Sequence, residues 1–180
     1  QVTEALKKVA ESYGVNLMMG TSMQQLKRYV IDGSKQVAVR TEIDQKVEEC
    51  TFEPHEVYAI DVAVSSGEGK PREAETRTTV FKRAVDKTYR LKMKASRYLF
   101  NEVNARFPTL PFCLRAMDDE KQARMGVVEC VKHELMQPYP VMYERAGDIV
   151  AHFKFTVLLL PSGTTKVRFI VRFAPRAIPS

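Results

Sequence analysis

The spacing of apolar residues predicts three helical segments in this chain. Apolar side chains recur at helical spacing from Val2 to Tyr13, and Gly14 is a natural end for that helix. A second stripe predicts a helix that Pro108 and Pro111 end; its members, four residues apart, are Leu91, Ala95, Leu99, Val103 and Phe107. A third helical stretch is expected from Asp118, a capping residue type, to Leu135, with Gly126 as a point of division.

Other segments have the pattern of β-strands. Residues 57–64 are nearly all apolar, which is typical of a strand buried in the middle of a sheet. Residues 167–173 alternate apolar with basic residues, as an outer strand does. Further strands are predicted at 26–31, 37–39, 78–81 and 149–160. A β-rich body interrupted by a helical module predicts an α+β fold. We expect the body over 1–85, a mainly helical insert over 86–146 and the return strands of the body over 147–180.

Positive charge is concentrated in one stretch of the chain. Between Lys70 and Arg97 ten basic residues face three acidic ones, a net charge of +7 against +6 for all 180 residues. Such a block favours a polyanion such as nucleic acid, because phosphate contacts release counterions. The alternative is a charged face that only keeps the protein in solution.

Composition excludes several classes of protein. No apolar run approaches the roughly 20 residues that a membrane helix needs, so no membrane insertion is expected. The polar start does not have the pattern of a signal peptide, and its first residue, Gln1, favours a fragment or a processed piece. Three widely spaced cysteines, Cys50, Cys113 and Cys130, fit neither a disulfide framework nor a zinc site.

Several long runs carry a resemblance to a known family. They include the segments 1–5, 30–33, 55–70, 77–79, 91–94, 119–121, 123–130, 132–135 and 153–159. In this order they resemble the proliferation-associated or ErbB-three-binding protein family, which consists of non-catalytic homologues of type II methionine aminopeptidase. The resemblance implies the second half of a pita-bread fold. It also identifies the helical interruption with the insert that distinguishes type II members.

The resemblance also implies that the aminopeptidase site has degenerated. The positions of three family metal ligands fall at Met23, Asp61 and Lys154, and that of a second active-site histidine falls at Ile31. Only Asp61 keeps a ligand type, because an ammonium is a donor and a thioether suits these metals poorly. No catalytic residue, metal or cofactor is therefore expected. His152 shares a face with Lys154, but one imidazole beside an ammonium is a weak metal site.

We further expect Lys154 and Asp61 to form an ion pair, because a lone buried charge is costly. If the pair is buried, replacing Lys154 with alanine should cost roughly 3–5 kcal/mol.

Three functions stay open at this point. The first is binding of the large ribosomal subunit or structured RNA, with regulation of translation and cell growth. The second is an adaptor for protein partners in growth signalling and transcription, and the third, which the lost ligands oppose, is an active metallo-aminopeptidase. The family implies a cytoplasmic protein, with the nucleus or nucleolus as a further location. The residues predicted to contact RNA are Lys82, Arg83, Lys87, Arg90, Lys92, Lys94, Arg97, Lys121, Arg124 and Lys132.

Overall fold

This computed structural model describes residues 1–41 and 47–173, which form two compact units. The first unit comprises Gln1–Arg72 and the chain from Met142 onward, and the second comprises Glu73–Val141. The helices are α1 (Val2–Ser12), α2 (Lys94–Arg106) and α3 (Glu120–Lys132). The strands are β1 (Asn16–Leu17), β2 (Ser22–Leu26), β3 (Gln36–Ala38), β4 (Val57–Ser65), β5 (Arg72–Glu73), β6 (Val80–Arg83), β7 (Phe112–Cys113), β8 (Met136–Tyr139), β9 (Met142–Tyr143), β10 (Val150–Leu160) and β11 (Gly163–Phe173).

The first unit is built on one antiparallel sheet with the strand order β11-β10-β4-β2-β3, in which β1 also pairs with β4. The apolar stretch of the sequence becomes β4, and it lies between β10 and β2 as a buried central strand should. One face of the sheet contributes Met23 and Val62 to a core with Ala10 of α1, and Val39, directly after β3, joins them. This arrangement confirms the central strand and the first helix.

The second unit packs two helices against a three-stranded sheet with the order β7-β6-β8. The inward positions Leu91, Ala95 and Leu99 are buried as their spacing predicts. Leu91 and Leu99 belong, together with residues of α3, to an apolar interior. Its fully buried members include Leu99, Val103, Ala123, Cys130 and Leu135.

Several element boundaries differ from expectation, two of them for a clear physical reason. The strand predicted over 26–31 is wrong, because β2 ends at Leu26 and the chain then turns, with Tyr29 at a φ of 62° and a bridge between Lys27 and Val30. The third helix begins after Asp119 rather than Asp118. The Asp119 carboxylate accepts a hydrogen bond from the N–H of Gln122 at 2.9 Å, which is the contact of an N-cap.

The predicted insert runs from 86 to 146. Its first boundary lies within the second unit, and its second boundary lies in the first unit, just after the second unit ends. That unit starts at Glu73, because β6 pairs with β7 and β8, and it ends at Val141. Residues 174–180 of the predicted return segment lie outside the described residues. Within the described part of the chain, no helix has the length and apolar character that crossing a membrane requires.

Candidate functional site

Two of the predicted metal-site positions, Asp61 and Lys154, lie on the face of the first unit's sheet that α1 does not cover. Asp61 on β4 stands directly opposite Lys154 on β10, and His152 lies two residues away along the same face. The Lys154 Nζ donates to Asp61 Oδ2 at 2.7 Å, and the His152 Nε2 contacts Asp61 Oδ1. The expected ion pair between Lys154 and Asp61 is therefore confirmed. His152 adds a second partner to the same carboxylate.

The carboxylate is held ionised by these neighbours. Burial raises the pKa of Asp61, but the hydrogen bonds from Lys154 and His152 outweigh burial and bring it below its ordinary value. The Lys154 side chain is 56% exposed and that of Asp61 is 24% exposed. Because solvent screens such a pair, the loss expected for a fully buried pair does not apply to Lys154.

Met23 does not join this site. Its side chain is 3% exposed and packs in the core beside Val62, on the opposite face of the sheet from Asp61. Gln24, the residue after Met23, pairs with Ala59 of β4. Ala59 and Asp61 are two residues apart and share a face, so Gln24 lies on the face of Asp61. A shift of one residue moves a side chain to the other face of the sheet, and the mostly polar residues of β2 do not define that register.

Ile31, the predicted position of the second histidine, lies in the bend that follows β2 rather than in a strand. Its side chain is partly buried. It carries no polar atom that could replace an imidazole.

The residues present do not fit a pair of divalent cations. An ammonium lies 2.7 Å from one oxygen of Asp61, and the thioether of Met23 is in the core. Among the residues that the structure describes, no three His, Cys, Asp or Glu side chains are grouped so that they could hold a metal ion. An ammonium so close to Asp61 opposes the binding of a cation by that carboxylate.

The residues predicted to contact RNA all lie in the second unit. Lys82 and Arg83 are on β6 and are partly buried. The other eight are exposed: Lys87, Arg90 and Lys92 before α2, Lys94 and Arg97 on α2, and Lys121, Arg124 and Lys132 on α3.

Some of these cations have structural partners. The Arg97 Nη1 donates to the carbonyls of Leu91 and Lys92 at 3.2 and 2.8 Å, which fastens the loop before α2. Arg124 pairs with Glu120 one turn earlier on α3. The Arg83 guanidinium lies 5.4 Å from the centre of the Phe100 ring. The exposed cations to which we assign no such structural role are Arg90, Lys92, Lys94, Lys121 and Lys132.

Comparisons with known proteins identify the family of this chain. The chain is 53% identical to an ErbB-3 binding protein 1 of Solanum tuberosum over 92% of its own length. It is 42% identical to the proliferation-associated protein A of Dictyostelium discoideum over 93% of its length. The chain belongs to the family of ErbB-3-binding and proliferation-associated proteins. No family model matches it.

More distant relatives establish the fold of this family member. A methionine aminopeptidase 2-1 of Talaromyces stipitatus is 30% identical over 88% of the chain and 37% of its own length. The solved structure of a thermophilic Arx1 matches with a TM-score of 0.84 and 31% identity, over 91% of this chain and 44% of that one. The predicted pita-bread fold is thereby confirmed.

A further relative is named for binding DNA. It is the curved DNA-binding protein of Schizosaccharomyces pombe, 39% identical over 91% of this chain and 44% of the relative. The chain spans less than half the length of the curated relatives, 43% for the protein of Solanum tuberosum and for that of Dictyostelium discoideum.

Proposed function

We propose that this chain is a non-catalytic aminopeptidase-like module that binds structured RNA, with the large ribosomal subunit as its partner. Through that partner it would regulate translation and cell growth, in the cytoplasm and in the nucleus or nucleolus. The observation that carries the proposal is the set of exposed cations in the second unit, Arg90, Lys92, Lys94, Lys121 and Lys132.

Exposed cations on α2, on α3 and in the loop before α2 suit a nucleic-acid backbone. Ammonium groups on helices can contact successive phosphates without reading base edges, so recognition depends on the shape of the RNA. The relative named as a DNA-binding protein supports a nucleic-acid ligand for this fold. The family resemblance to ribosome-binding proteins supports RNA as that ligand.

The non-catalytic part of the proposal rests on the pairing of Asp61 with Lys154. We expect the chain to bind no pair of Mn²⁺, Co²⁺ or Zn²⁺ ions and to release no methionine from a Met-initiated peptide, because removal of a ligand cripples a two-metal site. Calorimetric titration with each metal and a peptide assay measure this. Two tightly bound ions per chain together with turnover would contradict the proposal.

The charge test uses lysines whose side chains are exposed. Changing both Lys92 and Lys94 to glutamate should weaken binding to purified large subunits on the order of tenfold, and should flatten the slope of log affinity against log salt by about 2. Arg97 is left intact, because its contacts with two carbonyls are structural. Filter binding across a salt series gives both quantities.

A matched control is available on α1. Lys7 and Lys8 are also exposed, and changing both to glutamate alters the net charge by the same amount in the first unit. This control should keep the affinity and slope of the unmodified chain. Equal losses for both variants would mean that net charge, and not the second unit's surface, determines binding.

An adaptor function remains the second candidate, because α3 exposes two apolar side chains. Met125 is 58% exposed and Val128 is 66% exposed, and they lie three residues apart on one helix face. Binding of a protein partner there should depend weakly on salt, whereas phosphate contacts weaken steeply.

A further inference from the structure

One aromatic pair in the second unit takes no part in its core. The rings of Tyr89 and His133 are stacked, with centroids 3.6 Å apart and an interplanar angle of 11°. Tyr89 lies in the loop before α2 and is 37% exposed, while His133 is the residue that ends α3. Neither residue belongs to the apolar cluster that fills this unit.

The pair is held in place from the helix side. The N–H of His133 donates to the carbonyl of Glu129 at 3.1 Å, as the last turn of α3 requires. The imidazole therefore sits at a fixed helix end and supports the phenol ring of Tyr89. A ring that is supported on one side and exposed is pre-organised to stack on a further flat group.

Cations flank this pair in the sequence. Lys87 and Arg90 lie within two residues of Tyr89, and Lys132 precedes His133; all three are exposed. The Lys87 ammonium lies 3.4 Å from the Glu134 carboxylate, an exposed pair that solvent weakens. Aromatic faces beside cations are the combination by which proteins hold unpaired nucleotides, with the base on the ring and the phosphates on the charges.

We propose that the Tyr89–His133 stack is a platform for one unpaired nucleobase, held in a bulge or loop of the RNA. This inference rests on the proposed RNA binding and deepens it, because basic helices alone distinguish only backbone shape. A clamp needed only to fasten the loop does not require an exposed tyrosine ring, yet Tyr89 is 37% exposed and has cations next to it in the sequence. The Arg97 contacts with Leu91 and Lys92 already fasten the same loop.

The test compares three RNA hairpins that differ at one position: fully paired, with a single bulged adenosine, and with an abasic nucleotide at the bulge. The adenosine and abasic hairpins have nearly the same backbone and charge, so any difference between them reports the base. The unmodified chain should bind the adenosine hairpin on the order of tenfold more tightly than the abasic one. Equal affinities for the adenosine and abasic hairpins would overturn the inference. This comparison uses only the unmodified chain, so it does not depend on whether a variant folds.

Two substitutions assign the effect to the ring. Tyr89→Phe should keep the preference for the bulged adenosine, and Tyr89→Leu should abolish it while leaving the affinity for the abasic hairpin unchanged. If Tyr89→Leu weakens all three hairpins equally, the tyrosine is structural and the inference is wrong. Salt-dependent binding without a base preference would overturn the platform alone, and no binding of any hairpin would overturn the proposed function as well.

Discussion

Replacing Gly126 with alanine should destabilise the second unit by about 2 kcal/mol. A Cβ atom at this position would lie 2.4 Å from the carbonyl oxygen of Ala95 and 2.7 Å from its carbonyl carbon. Both are backbone atoms of α2, so the clash is relieved only if the two helices separate. Alanine is favoured over glycine in a helix by up to about 1 kcal/mol, which offsets only part of the cost of overpacking.

Urea denaturation followed by circular dichroism measures this change. Met125→Ala is the matched control, because Met125 is the preceding residue of α3 and is 58% exposed. That variant should lie within about 0.5 kcal/mol of the unmodified chain. If Gly126→Ala is as stable as the control, the contact between α2 and α3 adapts easily and the packing argument fails.

The role of Gly126 shows where sequence reasoning reaches its limit. Taken alone, a glycine inside a helical stretch predicts a break, and the division expected there is wrong because α3 is continuous. The glycine is required by the close approach of Ala95, which comes from a different helix. A periodic pattern reports which face of a helix is apolar, but not how closely another backbone approaches it.

The sheet of the first unit also has one feature that the sequence predicts and one that it does not. The nearly all-apolar run of β4 made its central position predictable. Alternation along a strand likewise predicted that His152 and Lys154 share one face of the sheet, as they do. The pairing register of β2 was not predictable, since its residues Ser22–Leu26 are largely polar on both faces. The family resemblance placed Met23 at a metal-ligand position, whereas its side chain lies in the core on the other face of the sheet.

Replacing Glu129 with alanine should destabilise the second unit by about 2–3 kcal/mol. This carboxylate on α3 is 9% exposed, and its two oxygens accept the backbone N–H groups of Lys92 and Met93 at 2.9 and 3.1 Å. Met93 is the N-cap residue of α2, and its own side chain makes no capping hydrogen bond. Glu129 therefore caps α2 from the neighbouring helix, with a negative charge at the positive end of the helix dipole.

The same substitution separates a positioning role from a purely electrostatic one. Removal of a carboxylate makes the surface more positive, and charge alone would then strengthen RNA binding. We expect weaker binding instead, because the loop that carries Lys92 loses the contacts that fix it in front of α2. The control is Glu102→Ala, which removes the same charge from an i,i+4 pair with Arg106 and should cost only about 0.5 kcal/mol. Filter binding and urea denaturation of both variants decide the matter: if Glu129→Ala binds the large subunit as tightly as Glu102→Ala, the loop does not need Glu129 to present its cations.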